Sequence, residues 1–141
     1  MHIKRIWTLP ALLLITVTAH AGLVQPAPVV IDFDNSFAQG DLISARNSEN
    51  EFELIGCGIR AFDDGAGGAF QTGFCQARLE EDLNVICTTQ NVALMEGINI
   101  LSDSSFVTFS WTEDEFGSLT CTRIGSSTQS FYLGKGKNNL P

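Results

Sequence analysis

Ile55-Gly56-Cys57-Gly58-Ile59-Arg60-Ala61-Phe62, answered by Phe74-Cys75 after a glycine- and aspartate-rich stretch, is the segment on which the fold turns. It reads as a strand, a tight reversal and a returning strand, with one cysteine on each arm. Partners across a hairpin have residue numbers with a constant sum. Placing Cys57 opposite Cys75 puts Ile59 opposite Gly73 and Ala61 opposite Gln71. The reversal then centres on Ala66, inside Asp63-Asp64-Gly65-Ala66-Gly67-Gly68. Glycines there permit the positive φ angles of tight turns. Bridge and turn thus support the same register.

The four cysteines are Cys57, Cys75, Cys87 and Cys121. An even count in an exported chain favours two disulfides, and four cysteines allow three connectivities. We expect Cys57–Cys75 with Cys87–Cys121. Cys75–Cys87 competes, because its register centres on the acidic turn Glu80-Glu81-Asp82. A zinc site would need four scattered thiolates, since no Cys-x-x-Cys pair occurs and no histidine follows His20.

Export is read from the N-terminus. His2, Lys4 and Arg5 precede a short apolar run from Leu9 to Val17, and Ala19-His20-Ala21 fits a small-x-small cleavage site. The run is shorter than the roughly 20 residues a membrane helix needs. Residues 1–21 are therefore expected to be a signal peptide, 22–31 an N-terminal linker, 32–133 a disulfide-stabilised β domain and 134–141 a flexible tail. The expected location is secreted or periplasmic, with no membrane span after cleavage. Loss of Lys4 and Arg5 takes the net charge from −8 to −10. So acidic a chain repels nucleic acid, whose phosphates need Lys and Arg to replace their counterions.

Outward from the hairpin, alternation of apolar residues marks further strands. A short strand is expected over Val29–Phe33, then a polar loop over Asp34–Asp41 and an irregular edge segment or short strand over Leu42–Asn50. The first strong strand spans Glu51–Phe62. Its apolar parity changes between Leu54 and Ile55, which suggests a bulge beside Gly56. Ala69–Leu79 returns and Leu83–Cys87 follows. Gln90–Ile98, with Val92, Met95 and Ile98 at helical spacing and Thr88 or Thr89 as cap, is the single helix expected. Ser104–Thr112 and Leu119–Ile124 form a late hairpin with Trp111 opposite Leu119 and Phe109 opposite Cys121. Ser130–Leu133 closes as a short strand. The class is mainly β: a small antiparallel sandwich or partly open barrel with one short helix. Its core is expected from Phe52, Leu54, Ile59, Phe74, Val85, Val92, Met95, Val107, Phe109, Trp111 and Leu119.

The inventory for chemistry is thin. Without histidine beyond residue 20, the usual Ser-His-Asp and Cys-His nucleophile systems are missing. Bridged cysteines supply no thiolate. Carboxylates remain, and a pair at the right separation can hydrolyse glycosides. Asp32-Phe33-Asp34-Asn35-Ser36 partly matches the start of a calcium loop, but Phe37 and Ile43 stand where an EF-hand needs glycine and glutamate. Calcium, there or at Asp63 and Asp64, is the one cofactor entertained. Asp63, Asp64 and Gly65 form the candidate binding turn; no catalytic or metal-ligating residue is assigned. Trp111 shares parity with Val107 and Phe109 and reads as core, not as a sugar platform.

From Gly40 to Lys135 the chain resembles a group of small exported two-disulfide bacterial proteins of uncharacterised function. The resemblance is carried by Ala45-Arg46-Asn47-Ser48, Ile55-Gly56-Cys57, Cys75-Gln76-Ala77-Arg78, Cys87-Thr88-Thr89, Asp103-Ser104, Phe109-Ser110-Trp111 and Cys121-Thr122-Arg123-Ile124. Tyr132-Leu133-Gly134-Lys135 departs from the Tyr-x-Pro-Lys ending of that group. The resemblance implies a compact exported domain and brings no activity. The leading expectation is a non-enzymatic binding or interaction module, or an envelope-associated accessory factor, with a protein or glycan partner. The alternatives are a carboxylate-dependent enzyme acting on glycans, or an inhibitor of a secreted enzyme presenting loop 63–68.

Overall fold

Two long hairpins dominate the computed structural model, which describes residues 22–133. The expected signal peptide and C-terminal tail lie outside the described residues. The first hairpin pairs β3 (Leu54–Asp63) with β4 (Ala69–Arg78) over its whole length. The second pairs β6 (Phe106–Glu113) with β7 (Leu119–Ser127). With β1 (Val30–Asp32), β2 (Phe37–Asp41) and β5 (Asn84–Thr89) they form one sheet in the order β1-β2-β6-β7-β5-β4-β3. Strands take 46% of the described residues against 14% for helix, so the mainly β expectation holds, and the sheet is not closed into a barrel. Every neighbouring pair is antiparallel except β5 with β7, which run parallel and meet at Thr88 and Thr120.

The parallel pair follows from a crossover. After β5 the chain enters α2 (Val92–Asn99), which packs on β3, β4 and β7 before β6 begins. The cap of α2 is Asn91, whose side chain accepts from Leu94 N at 3.2 Å; Thr89 instead accepts from Asn91 N at 3.1 Å. An Asn oxygen at this position satisfies a first-turn amide that has no helical partner. Gly73 admits the helix. A methyl there would lie 2.9 Å from Ile98 Cδ1 and 3.1 Å from Met95 Cγ.

Two segments correct the sequence expectations near residue 40. Phe37–Asp41 is a strand, not a loop, and Leu42–Arg46 is a second helix, α1. Asp41 makes both. It is fully buried; Oδ1 accepts from Ser44 N at 2.6 Å, capping α1, while Oδ2 accepts from Ser44 Oγ and Ala27 N, each at 2.6 Å. Glu53 takes up the neighbouring amide, Val29 N, at 2.8 Å. Within the expected linker 22–31, carboxylates thus hold two backbone amides, and Gln25 N donates to Phe131 O at 2.8 Å. Ser130–Tyr132 is a 3-10 turn and not a strand. Its Tyr132 stacks on Phe106 with ring centres 5.2 Å apart.

The hairpin register of β3 and β4 is the one that the cysteines imply, with Cys57 opposite Cys75 and Ala61 opposite Gln71. It runs unbroken from Leu54 to Asp63, so the bulge expected beside Gly56 is absent there. The irregularity lies instead between Ser110 and Trp111; the second hairpin already differs from the expected register at its turn, where Glu113 faces Leu119, and the irregularity adds one more residue of offset. Trp111 faces Cys121, not Leu119, and Phe109 faces Ile124, not Cys121.

Both expected disulfides are present, Cys57–Cys75 and Cys87–Cys121. Cys75 also lies opposite Cys87, so the competing register exists as strand pairing without a bridge. The four cysteines therefore form one row across β3, β4, β5 and β7.

That row belongs to the buried face. Ala38, Ile55, Ala77, Val85, Val107, Phe109 and Trp111 join it in one core, with Ala45 of α1. Phe109 and Val107 are fully buried. Of the expected core, Val92 is 65% exposed, because α2 turns Ile98 inward and leaves its first residue in solvent. Phe74 lies on the other face of the sheet, opposite Gly58.

Candidate functional site

The candidate binding turn sits at the tip of the first hairpin, and its carboxylates close the turn. Asp64 Oδ1 accepts from Ala66 N at 2.8 Å and Gly68 N at 2.9 Å; Asp63 Oδ1 accepts from Gly65 N at 2.7 Å. Those two amides, Ala66 first and then Gly68, hold the Asp64 carboxyl below its ordinary 3.8. Gly65 and Gly67 adopt φ of +74° and +89°, as the reversal requires. The calcium-like segment behaves similarly. Asp32 accepts from Asn35 Nδ2 at 2.8 Å and Asn35 N at 2.9 Å, and these bonds lower its pKa in that order. No group of three or more His, Cys, Asp or Glu side chains suited to a metal ion occurs among the described residues.

A different cluster stands out beside the turn. Alternate residues of a strand share a face. The face opposite the core carries Arg60 and Phe62 from β3, Phe70, Thr72 and Phe74 from β4, and Ile86 and Thr88 from β5. Phe62, Phe70 and Ile86 are 44%, 49% and 49% exposed. Phe62 and Phe70 are cross-strand partners and stack with ring centres 5.2 Å apart and planes 20° apart. Stacking of this kind adds about 0.5–1.5 kcal/mol beyond burial, yet both rings keep much of their surface in water.

Arg60 completes the cluster. Its guanidinium carbon lies 4.6 Å from the centre of the Phe74 ring. The ring edge reaches over β3 because residue 58 is glycine: a methyl at Gly58 would sit 2.9 Å from Phe74 Cζ. Together these seven residues line a groove of about 330 Å3.

Charge is segregated along the same face. Arg60, Arg78 and Arg123 all project from it, on β3, β4 and β7. Arg78 repeats the stacking, 4.8 Å from the Phe52 ring centre, and Arg123 donates to Thr108 Oγ1 at 3.3 Å. The carboxylates within β3 to β7, Asp63 and Glu113, stand at strand ends on the parity of the core face. In a chain of net charge −8 this face is locally basic.

Sequence reasoning placed the binding turn next to this cluster and missed the cluster. The signal was present. The cysteine register already pairs Phe62 with Phe70 and Gly58 with Phe74. What alternation alone leaves open is which face the helices cover.

The chain was compared with protein-family models, with curated proteins and with solved structures, and none of the three comparisons finds a match. Two disulfides are consistent with an extracellular or periplasmic protein, and no helix of the described residues is long and apolar enough to cross a membrane.

Proposed function

We propose that this chain is an exported, non-enzymatic binding module that engages its partner through the open face of β3, β4 and β5. Its kinship with the small exported two-disulfide group is part of the same reading. The observation that carries it is the cluster of Phe62, Phe70 and Ile86, left in water beside Arg60 on a disulfide-bridged hairpin. A contiguous exposed apolar patch with a polar rim marks an interaction surface. Aromatic residues and Arg are also the types that dominate binding energetics. Rigid backbone supports the role, because side chains on paired strands lose little further freedom on binding.

The test uses the isotopically labelled, oxidised chain mixed with its native extracellular or periplasmic fraction. Amide resonances of residues 60–62, 70–74 and 86–88 should shift or broaden. The Phe62→Ser/Phe70→Ser variant should keep both disulfides and a cooperative unfolding transition, lowered by the loss of the stack, while losing the response. The reading fails if the perturbation is absent, centres elsewhere, or persists in the variant.

A further inference from the structure

We propose that the groove beside Arg60 binds a monoanionic amphiphile, a carboxylate with a short apolar chain. The carboxylate pairs with Arg60 and the chain lies along Phe62, Phe70 and Ile86. This rests on the binding-module reading and names the chemistry of its ligand.

Three features of the groove select that chemistry. Its walls are phenylalanine and isoleucine, and the polar groups they leave are the hydroxyls of Thr72 and Thr88 and one guanidinium. Among the described residues, Arg60 is the only charged one in the lining. Its guanidinium carbon lies over the Phe74 ring, 4.6 Å from the ring centre. Stacking uses the flat face of a guanidinium, whereas its five N–H donors lie in the plane and match the two oxygens of a carboxylate.

Neighbouring chemistries fit less well. A neutral hydrocarbon would desolvate Arg60 without a partner, which is costly. A sugar needs exposed ring faces and many hydrogen-bonding groups, but Phe62 and Phe70 cover one face of each other. A polyanion would meet the repulsion of the chain's net charge of −8, against one cation in the groove. A single carboxylate on an apolar chain satisfies the cation and covers the rings together. The volume of about 330 Å3 lies at the small end of ligand pockets, which run from about 300 to 1,000 Å3.

The experiment titrates sodium octanoate into the labelled oxidised chain, beside 1-octanol and octyltrimethylammonium. Octanoate should move the amides of residues 60–62, 70–74 and 86–88 saturably, with Kd about 1 mM or below for a ligand of this size. 1-Octanol should bind about tenfold more weakly and the cation more weakly still. Arg60→Gln should weaken octanoate about tenfold without weakening 1-octanol, so that the preference for octanoate is lost. Equal binding of octanoate and 1-octanol, no effect of Arg60→Gln, or shifts centred elsewhere would each overturn the assignment. If octanoate fails while the native fraction still perturbs these amides, the ligand class alone is wrong. If both fail, the binding-module reading falls with it.

Discussion

The two long hairpins end in the same turn and meet opposite fates. Asp64 and Asp114 each accept two amides two and four residues on, Ala66 and Gly68 in one, Phe116 and Ser118 in the other. Each also donates its own amide to the carbonyl four residues ahead. Past the turns the likeness ends. β6 and β7 lie inside the sheet, and Val107, Phe109 and Trp111 of β6 are buried in one core with Ala45 of α1 and Val29. β3 and β4 lie at the edge, and from Arg60 to Gln71 every residue is exposed. Local turn chemistry builds a hairpin; its place in the sheet decides whether its aromatics become core or surface.

The comparison breaks most sharply on matched truncations. Phe109→Ala should destabilise the fold by about 3–5 kcal/mol, since it empties a fully buried site. Phe62→Ala should cost about 1 kcal/mol or less, as an exposed ring on the edge hairpin. Denaturant unfolding with the disulfides intact measures both; equal losses would show that the edge hairpin belongs to the core.

The disulfides sharpen the contrast at a smaller scale. Each should contribute about 2–4 kcal/mol through the unfolded chain. Cys87–Cys121 spans 34 residues and Cys57–Cys75 spans 18. Loop-closure entropy then makes removal of the former, by paired Cys→Ser substitution, about 0.6 kcal/mol more costly. A greater loss at Cys57–Cys75 would mean that the edge hairpin depends on its staple more than the interior does.

The smallest effect concerns the exposed turn. Asp64 is held below the ordinary 3.8, so it is deprotonated more readily folded than unfolded. Its contribution is therefore present above the unfolded value and is lost as pH falls through the folded one. The stability difference between wild type and Asp64→Asn should hold steady from neutral pH to about the unfolded carboxylate value and narrow below it. A pH series of unfolding curves checks this, and a difference independent of pH down to 2 would sink it.

Much of this architecture was legible in the residues. The cysteine spacing and the glycine cluster point to one register, and that register is observed from Leu54 to Asp63. Alternation located Val107, Phe109 and Trp111 on one buried face. What escaped depended on partners distant in sequence. β2 contains Gln39, Gly40 and Asp41 and looks like a loop; it is a strand because β1 and β6 flank it. Helix α1 is five residues long and rests on a buried aspartate cap that no apolar period announces. The bulge moved from Gly56 to Ser110/Trp111, where no glycine marks it. At the site, the turn was visible as a string of Asp and Gly, whereas the aromatic groove needed the knowledge that neither α1 nor α2 covers that face.

The row of four cysteines has a mechanical consequence. Tension along the backbone passes from Cys57 straight to Cys75, and from Cys87 straight to Cys121. The intervening segments are covalent side loops that carry no load. Arg60, Phe62, Phe70 and Phe74 all lie within the first of them. Only Ile86 and Thr88 flank it on β5, on either side of Cys87, where the second loop begins. A pull that peels the sheet apart would lengthen the chain elsewhere and leave the aromatic arm at its native span.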